Sequence, residues 1–166
     1  MQPLLITLTI INSSIFFVLS VIHLYWALGG EWGFDKALPT NMEGKRVLNP
    51  KKIDSTIVGL GLLLFSFYLL IYVNIVSLEL PNWLMTYGIW FITGLFFLRA
   101  VGDFKYIGFF KKIRNTEFGR LDTRFYSPLC LFLSISGIVI LLFWNSTMIQ
   151  LSNYHKSYGQ KEILSI

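Results

Sequence analysis

Charged residues are absent from four long stretches of this chain, and each stretch is rich in apolar side chains. No Asp, Glu, Lys or Arg lies in residues 1–30, 55–78, 80–98 or 125–155. A helix of about 20 apolar residues crosses the roughly 30 Å hydrocarbon core of a bilayer. The pattern therefore predicts an all-α, polytopic membrane protein whose four transmembrane helices lie near residues 3–28, 55–78, 83–102 and 128–149.

The connections between these spans predict how the helices are arranged. A short outer turn at residues 79–82 should make the second and third helices antiparallel neighbours, and an up-down four-helix bundle is the simplest arrangement. Residues 1–166 then form a single transmembrane domain. Its inner loops are residues 29–54 and 103–127, and its outer tail is residues 150–166.

Polar residues at the predicted helix starts indicate where the spans begin. Asp54 or Ser55 can cap the second span, and Asn82 can cap the third. Ser127 followed by Pro128 predicts a cap with proline at the first helical position, where its missing N–H costs nothing.

Composition and charge support a membrane protein and give its orientation. The chain is 54% hydrophobic and 14% charged, whereas a soluble domain has about 25% charged residues. Twelve of the fourteen Lys and Arg residues lie in residues 29–54 and 99–124. Basic residues stay on the cytoplasmic side, so both termini should lie outside, and the net charge of +5 predicts attraction to an anionic inner leaflet rather than to nucleic acid.

Both inner loops retain apolar residues, which predicts ordered structure. The first holds Trp32, Phe34, Leu38, Val47 and Leu48, and we expect it to form an ordered cytoplasmic cap with a hairpin turning near Gly44. The second, DFKYIGFFKKIR, predicts a short interfacial amphipathic helix whose basic side, with Lys105, Lys111 and Lys112, faces lipid headgroups.

Several chemistries are excluded or unsupported by the residues present. Cys130 is the only cysteine, so an internal disulfide and a C-x-x-C redox centre are impossible. A bis-histidine haem is not expected, because the second histidine, His155, is predicted on the opposite side of the membrane. No metal-binding or phosphate-loop motif is present, and we expect no cofactor.

The strongest candidate site is a polar pocket at the cytoplasmic mouth of the bundle. Arg99 and Asp103 are four residues apart and could pair on one helical face. His23 is predicted at the same depth. The candidate ligand-binding residues are His23, Tyr25, Trp26, Glu31, Arg99, Asp103 and Tyr126. The alternative is structural: a histidine near the interface often bonds neighbouring helices, and Arg99 can extend to lipid phosphate.

Long segments resemble a known family. HLYWALGGEWG, the pattern around Pro39, Gly44, Leu48 and Pro50, and LRAVGDFKYIGFFKKIRNTEFGRLDTRFYSPLCL are similar to the bacterial membrane family called domain of unknown function thirty-nine ninety-five. The resemblance covers nearly the whole chain. It implies a small four-helix protein of the bacterial cytoplasmic membrane and supplies no reaction.

Three functions remain open from the sequence. The leading hypothesis is binding of a lipid headgroup or amphipathic small molecule at the cytoplasmic mouth, where Arg99 would pair with an anion, oriented by Asp103, and His23 would make a hydrogen bond. The second is an enzyme on a lipid or isoprenoid-like substrate, with His23 as acid/base tuned by Asp103. The third is a structural or regulatory subunit, as a homo-oligomer or with another membrane protein.

Overall fold

The structure, a computed structural model, describes residues 3–163, and it describes side chains over residues 3–146. The second histidine, His155, therefore lies outside the described side chains. The described chain is helical apart from its connections. The helices are α1 (Pro3–Ala27), α2 (Phe34–Ala37), α3 (Lys52–Tyr72), α4 (Asn82–Val101), α5 (Glu117–Leu121) and α6 (Ser127–Ile163), with a π-helical segment, Asp122–Tyr126, joining α5 to α6.

Four segments are long and apolar enough to cross a membrane. They are Pro3–Ala27, Lys52–Tyr72, Asn82–Val101 and Glu117–Ser146. Many large apolar side chains of these helices are exposed on the surface of the bundle, including Phe17, Leu64 and Leu98. Such a surface is expected where lipid rather than water surrounds the bundle. The predicted all-α bundle of four membrane helices is confirmed.

The four long helices pack as two pairs. α1 packs along α3, and α4 packs along α6. Each pair is joined by a long loop, and the two loops lie at the same end of the bundle, which we call the long-loop end. The first long loop is residues 28–51, which include α2, and the second is residues 102–126, which include α5 and the π-helical segment.

The second and third spans contact each other, as predicted for neighbouring helices, but they do not form one of the two main pairs. α3 and α4 meet in few places, such as the Tyr68 hydroxyl, which donates to the carbonyl of Leu84 at 3.2 Å. α3 ends at Tyr72, and Asn74, two residues later, adopts a left-handed φ of 57°. The connection to α4 therefore spans residues 73–81 and is longer than the predicted turn.

Small and polar residues hold α1 against its neighbours. The hydroxyls of Ser13 and Ser66 lie 2.9 Å apart, and Ser20 donates to the carbonyl of Gly59 at 2.7 Å. Asn12 donates to Ser136 of α6 at 2.8 Å. Such bonds suit helices that lack a hydrophobic driving force between them, because lipid is as apolar as the side chains it touches.

Helix starts agree with the sequence only in part. The carboxylate of Asp54 accepts from the backbone N–H of Lys51 at 2.7 Å, so Asp54 does close the first turn of α3. Asn82 is the first residue of α4 and Pro81 precedes it.

The predicted cap at Ser127 is wrong, because helix continues through this position. In a regular helix Pro128 would leave the carbonyl of Arg124 without a donor. The π-helical segment lies just before it, and the Ser127 N–H bonds to the carbonyl of Asp122. A π-bulge is one of the known ways in which a helix absorbs such an interruption.

The first long loop is ordered, as predicted. Thr40 and Arg46 form an antiparallel bridge, and the turn between them contains Gly44 with a φ of 77°. Leu38 is buried as expected. Trp32, however, is 76% exposed, and Val47 and Leu48 are also exposed, so the expected burial of these three side chains within the cap is wrong.

The predicted amphipathic helix in the second long loop is also wrong. Residues 102–116 form turns and bends without a helix. Lys111, expected to face headgroups, is 2% exposed. The apolar spacing is compatible with a helix, but Gly102 and Gly108 both adopt positive φ and let the chain fold back on itself instead.

Candidate functional site

A buried ion cluster centred on Asp122 lies in the second long loop. Asp122 is 0% exposed, and its Oδ1 accepts from Arg99 Nη2 at 2.9 Å. Its Oδ2 accepts from Lys111 Nζ at 2.9 Å, from the Gly108 N–H at 2.8 Å and from the Ser127 hydroxyl at 3.0 Å. A buried carboxylate is stable only when it is paired and hydrogen-bonded, and Asp122 meets both conditions.

The backbone around Gly102 and Gly108 makes this cluster possible. A Cβ on Gly102 would lie 1.8 Å from the carbonyl oxygen of Ile107, and a Cβ on Gly108 would lie 2.3 Å from that of Val101. The Phe109 N–H then donates to the carbonyl of Ala100 at 2.9 Å. The two glycines thus bring the loop onto the end of α4 and aim the Gly108 N–H at Asp122.

The expected ion pair between Arg99 and Asp103 is wrong. α4 ends at Val101 with Gly102 as its C-cap, so Asp103 leaves the helical face of Arg99. The Asp103 carboxylate accepts from the N–H groups of Lys105, Tyr106 and Ile107 at 2.7–2.9 Å. Partial burial by itself raises the pKa of the Asp103 carboxyl, but these hydrogen bonds outweigh it and hold that pKa below its usual range.

Arg99 therefore belongs to the Asp122 cluster. Its Nη2 is bound to Asp122, while its Nη1 is buried and has no hydrogen-bond partner among the residues described. The cluster holds two cationic side chains and one carboxylate, so its formal charge is +1.

A second polar site is an open groove at the long-loop end, which we call the loop-end groove. It lies between the end of α1, the first long loop and the start of α3, and its volume is about 480 Å³. It combines aromatic rings with charges of both signs. Its lining residues are Trp26, Gly29, Gly30, Glu31, Phe34, Asp35, Arg46, Pro50, Lys51, Lys52 and Ser55.

Ring contacts fix the aromatic wall of this groove. Trp26 packs edge-on against Phe34 with 5.5 Å between ring centroids, and its Nε1 donates to the carbonyl of Trp32 at 2.9 Å. Arg46 lies over the Phe34 ring at 5.8 Å and pairs with Asp35. Tyr25 lies against Gly30, where any Cβ would fall 2.2 Å from its ring.

His23 lies behind this wall and contributes to it indirectly. Its Nδ1 is 2.8 Å from the carbonyl of Leu19 in its own helix, and its ring packs edge-on against Trp26 at 4.9 Å. His23 and Asp103 share no hydrogen bond or ion pair in the part of the chain that the structure describes. The acid/base role of His23, tuned by Asp103, stays a prediction.

Tyr126 and Lys36 link the two long loops. The Tyr126 hydroxyl donates to the carbonyl of Lys36 at 3.4 Å, and Lys36 Nζ lies 3.4 Å from Glu117. Tyr126 also packs against Phe118, with ring centroids 6.1 Å apart. These contacts hold the two loops together as one structured end of the bundle.

The single predicted pocket is thus divided between separate places. Trp26 and Glu31 line the loop-end groove, and Tyr25 and His23 support it. Arg99 belongs to the Asp122 cluster, Asp103 closes a turn, and Tyr126 connects the loops.

Sequence reasoning missed the centre of the cluster. Asp122, Lys111 and Ser127 were not among the candidates, because Lys111 fits the basic face of an amphipathic helix and Ser127 fits a cap. One signal was available: Asp122 precedes the apolar fourth span, where an ionisable residue needs a partner.

The fold and these two polar sites define a class: a small all-α, multi-pass membrane protein with four candidate transmembrane helices and structured loops at one end. The chain belongs to the family described as Protein of unknown function (DUF3995), whose model matches residues 16–137. That range includes the loop-end groove and the Asp122 cluster. No curated protein and no solved structure matches the chain. The resemblance that the sequence motifs indicated is confirmed.

Proposed function

We propose that this protein binds a lipid headgroup or an amphipathic small molecule in the loop-end groove. The observation that carries the proposal is the groove itself, about 480 Å³ in volume and lined by Trp26 and Phe34 together with Glu31, Lys51 and Lys52. Pockets that combine aromatic walls with a few polar groups are the usual form of small-molecule sites. The groove also opens at the end of α1 and the start of α3, where a lipid headgroup would lie.

The orientation that the proposal requires places the long-loop end in the cytoplasm. Twelve of the fourteen basic residues lie in or beside the two long loops, and basic residues near span ends are retained inside. The groove would then meet the inner leaflet, whose anionic lipids attract basic residues by about 1 kcal/mol each.

The part that Arg99 plays differs from the sequence hypothesis. Arg99 is bound to Asp122 and does not line the groove. We therefore assign the anion contact to Lys51 and Lys52 and treat Arg99 as a structural residue of the second long loop.

Native mass spectrometry of the gently solubilised protein tests the proposal. Wild type is compared with Lys52→Met and Trp26→Ala, and with Lys112→Met as a matched control, because Lys112 is exposed in the other long loop. We expect a bound molecule in wild type and in Lys112→Met that is lost from both groove variants. No adduct in any sample, or an adduct that is equal in all four, contradicts the proposal.

A further inference from the structure

The loop-end groove holds charges of both signs, and only some of them are satisfied within the chain. Asp35 is paired with Arg46. In the described part of the chain, the side chains of Glu31 and Lys52 make no hydrogen bond and no ion pair. The groove therefore presents an unpaired carboxylate and an unpaired ammonium to whatever occupies it.

We infer that the groove takes a phospholipid whose headgroup carries a primary ammonium next to its phosphate, an inference that rests on the function proposed above. Lys52, with Lys51, contacts the phosphate, and Glu31 contacts the ammonium. The two opposite charges of such a headgroup are complementary to the charges of Glu31 and Lys52, which both line the groove.

The position of Lys52 determines which part of the groove contacts the phosphate of the headgroup. The Lys52 ammonium lies against Gly29, since a Cβ there would be 3.4 Å from its Nζ. Gly29 and Lys52 both line the groove. A lysine ammonium binds phosphate as a point charge with three donors.

Glu31 and the aromatic wall determine which part of the groove contacts the ammonium of the headgroup. A carboxylate accepts hydrogen bonds from a primary ammonium, which has three N–H donors. Trp26 and Phe34 line the same groove, and aromatic faces attract cations. A quaternary ammonium gives Glu31 no donor, and a headgroup with phosphate alone meets repulsion from the same carboxylate.

The acyl chains have an apolar surface beside the groove. α3 presents exposed apolar side chains that start one residue after Lys52, namely Ile53, Ile57, Leu60 and Leu64. Their spacing of three and four residues places them along one stripe of the helix. A lipid whose headgroup is in the groove can lay its chains along this stripe, whereas a soluble molecule with the same headgroup gains nothing from it.

The test measures which lipid stays bound when the protein is exchanged into an equal mixture of dioleoyl phosphatidylethanolamine, phosphatidylglycerol and phosphatidylcholine. We expect wild type to retain phosphatidylethanolamine in native mass spectra. Glu31→Gln should reduce its preference over phosphatidylglycerol by about fivefold, the effect of one partly exposed ion pair. Lys52→Met should lower the retention of all three lipids by a similar factor, because each of them carries the phosphate that Lys52 contacts. The matched control is Glu43→Gln, since Glu43 is an exposed acid of the same loop outside the groove.

The outcomes separate this inference from the proposed function. Preference for phosphatidylglycerol or phosphatidylcholine, or a preference unchanged by Glu31→Gln, overturns the amine headgroup while the groove remains a lipid site. Displacement of the lipid by soluble phosphoethanolamine at equal concentration overturns the lipid as the source of the headgroup. Retention that is the same in wild type and Lys52→Met overturns both proposals.

Discussion

At the scale of single residues, Asp122 is the most constrained side chain of the second long loop. Four donors from α4, the loop and the start of α6 converge on its two oxygens. Lys111 is equally dependent on it, because the buried ammonium has Asp122 as its only ion-pair partner among the described residues. The two residues therefore stabilise the loop only as a pair.

Replacing Asp122 by Asn should strongly destabilise the protein. The change keeps the shape but leaves the Lys111 ammonium buried without a counter-charge, which typically costs about 3–5 kcal/mol. Unfolding in mixed micelles by added dodecyl sulfate measures the loss.

Two further variants control that measurement. Glu43→Gln breaks an exposed ion pair with Lys45 and should cost less than about 1 kcal/mol. Adding Lys111→Met to Asp122→Asn should recover part of the lost stability. Equal effects of Asp122→Asn and Glu43→Gln would contradict the view that the cluster supports the fold.

At the scale of elements, backbone geometry shapes the second long loop more than apolar periodicity does. Gly108→Ala adds a Cβ at 2.3 Å from the carbonyl oxygen of Val101, on a residue with a φ of 88°. We expect a loss of at least about 2 kcal/mol in the free energy of unfolding, from the left-handed backbone and the clash together.

The matched control is a glycine in a helix with open space around it. A Cβ on Gly94 of α4 would meet nothing within 4 Å. Gly94→Ala should therefore be neutral or should stabilise the protein by up to about 1 kcal/mol, because alanine is the better helix former. The same loss in both variants would show that the close approach at Gly108 is unimportant.

The pairing of α1 with α6 gives a second prediction at this scale. The Asn12 side chain donates to Ser136, and Ser136 donates back to Asn12 at 2.9 Å. A double-mutant cycle with Asn12→Ala and Ser136→Ala should give a coupling energy of about 0.6 kcal/mol, the average for hydrogen bonds between membrane helices. Strict additivity of the two variants would mean that this contact contributes nothing.

At the scale of the whole molecule, the testable property is orientation. Single cysteines are introduced into a Cys130→Ser background by Glu43→Cys at the long-loop end and Glu79→Cys in the connection between α3 and α4. A membrane-impermeant maleimide should label the Glu79→Cys protein in intact cells and the Glu43→Cys protein only after permeabilisation, because the basic loops are retained inside. The reverse labelling pattern would contradict this orientation and would place the loop-end groove at the outer leaflet.

The sequence by itself determined the four spans, the turn at Gly44 and the family. These depend on local information: a run of apolar residues long enough for a bilayer is sufficient to make a membrane helix, and a glycine at positive φ is sufficient to allow a turn. Trp26 lies in the last turn of the first span and Glu31 lies shortly after it, so the sequence placed both at the same end of the bundle, where both line the loop-end groove.

Only the tertiary structure decided the partners of the charged side chains and the pairing of the helices. Arg99 and Asp122 are 23 residues apart, so their ion pair required the fold-back at Gly102 and Gly108. The sequence favoured Asp103 as the partner of Arg99, because it is only four residues away. Lys111 is buried because that fold-back carries it to Asp122, although its spacing suits an exposed helical face. Which helices pair is decided by complementary small and polar surfaces on both partners, such as Ser13 with Ser66, and periodicity within one segment does not contain that information.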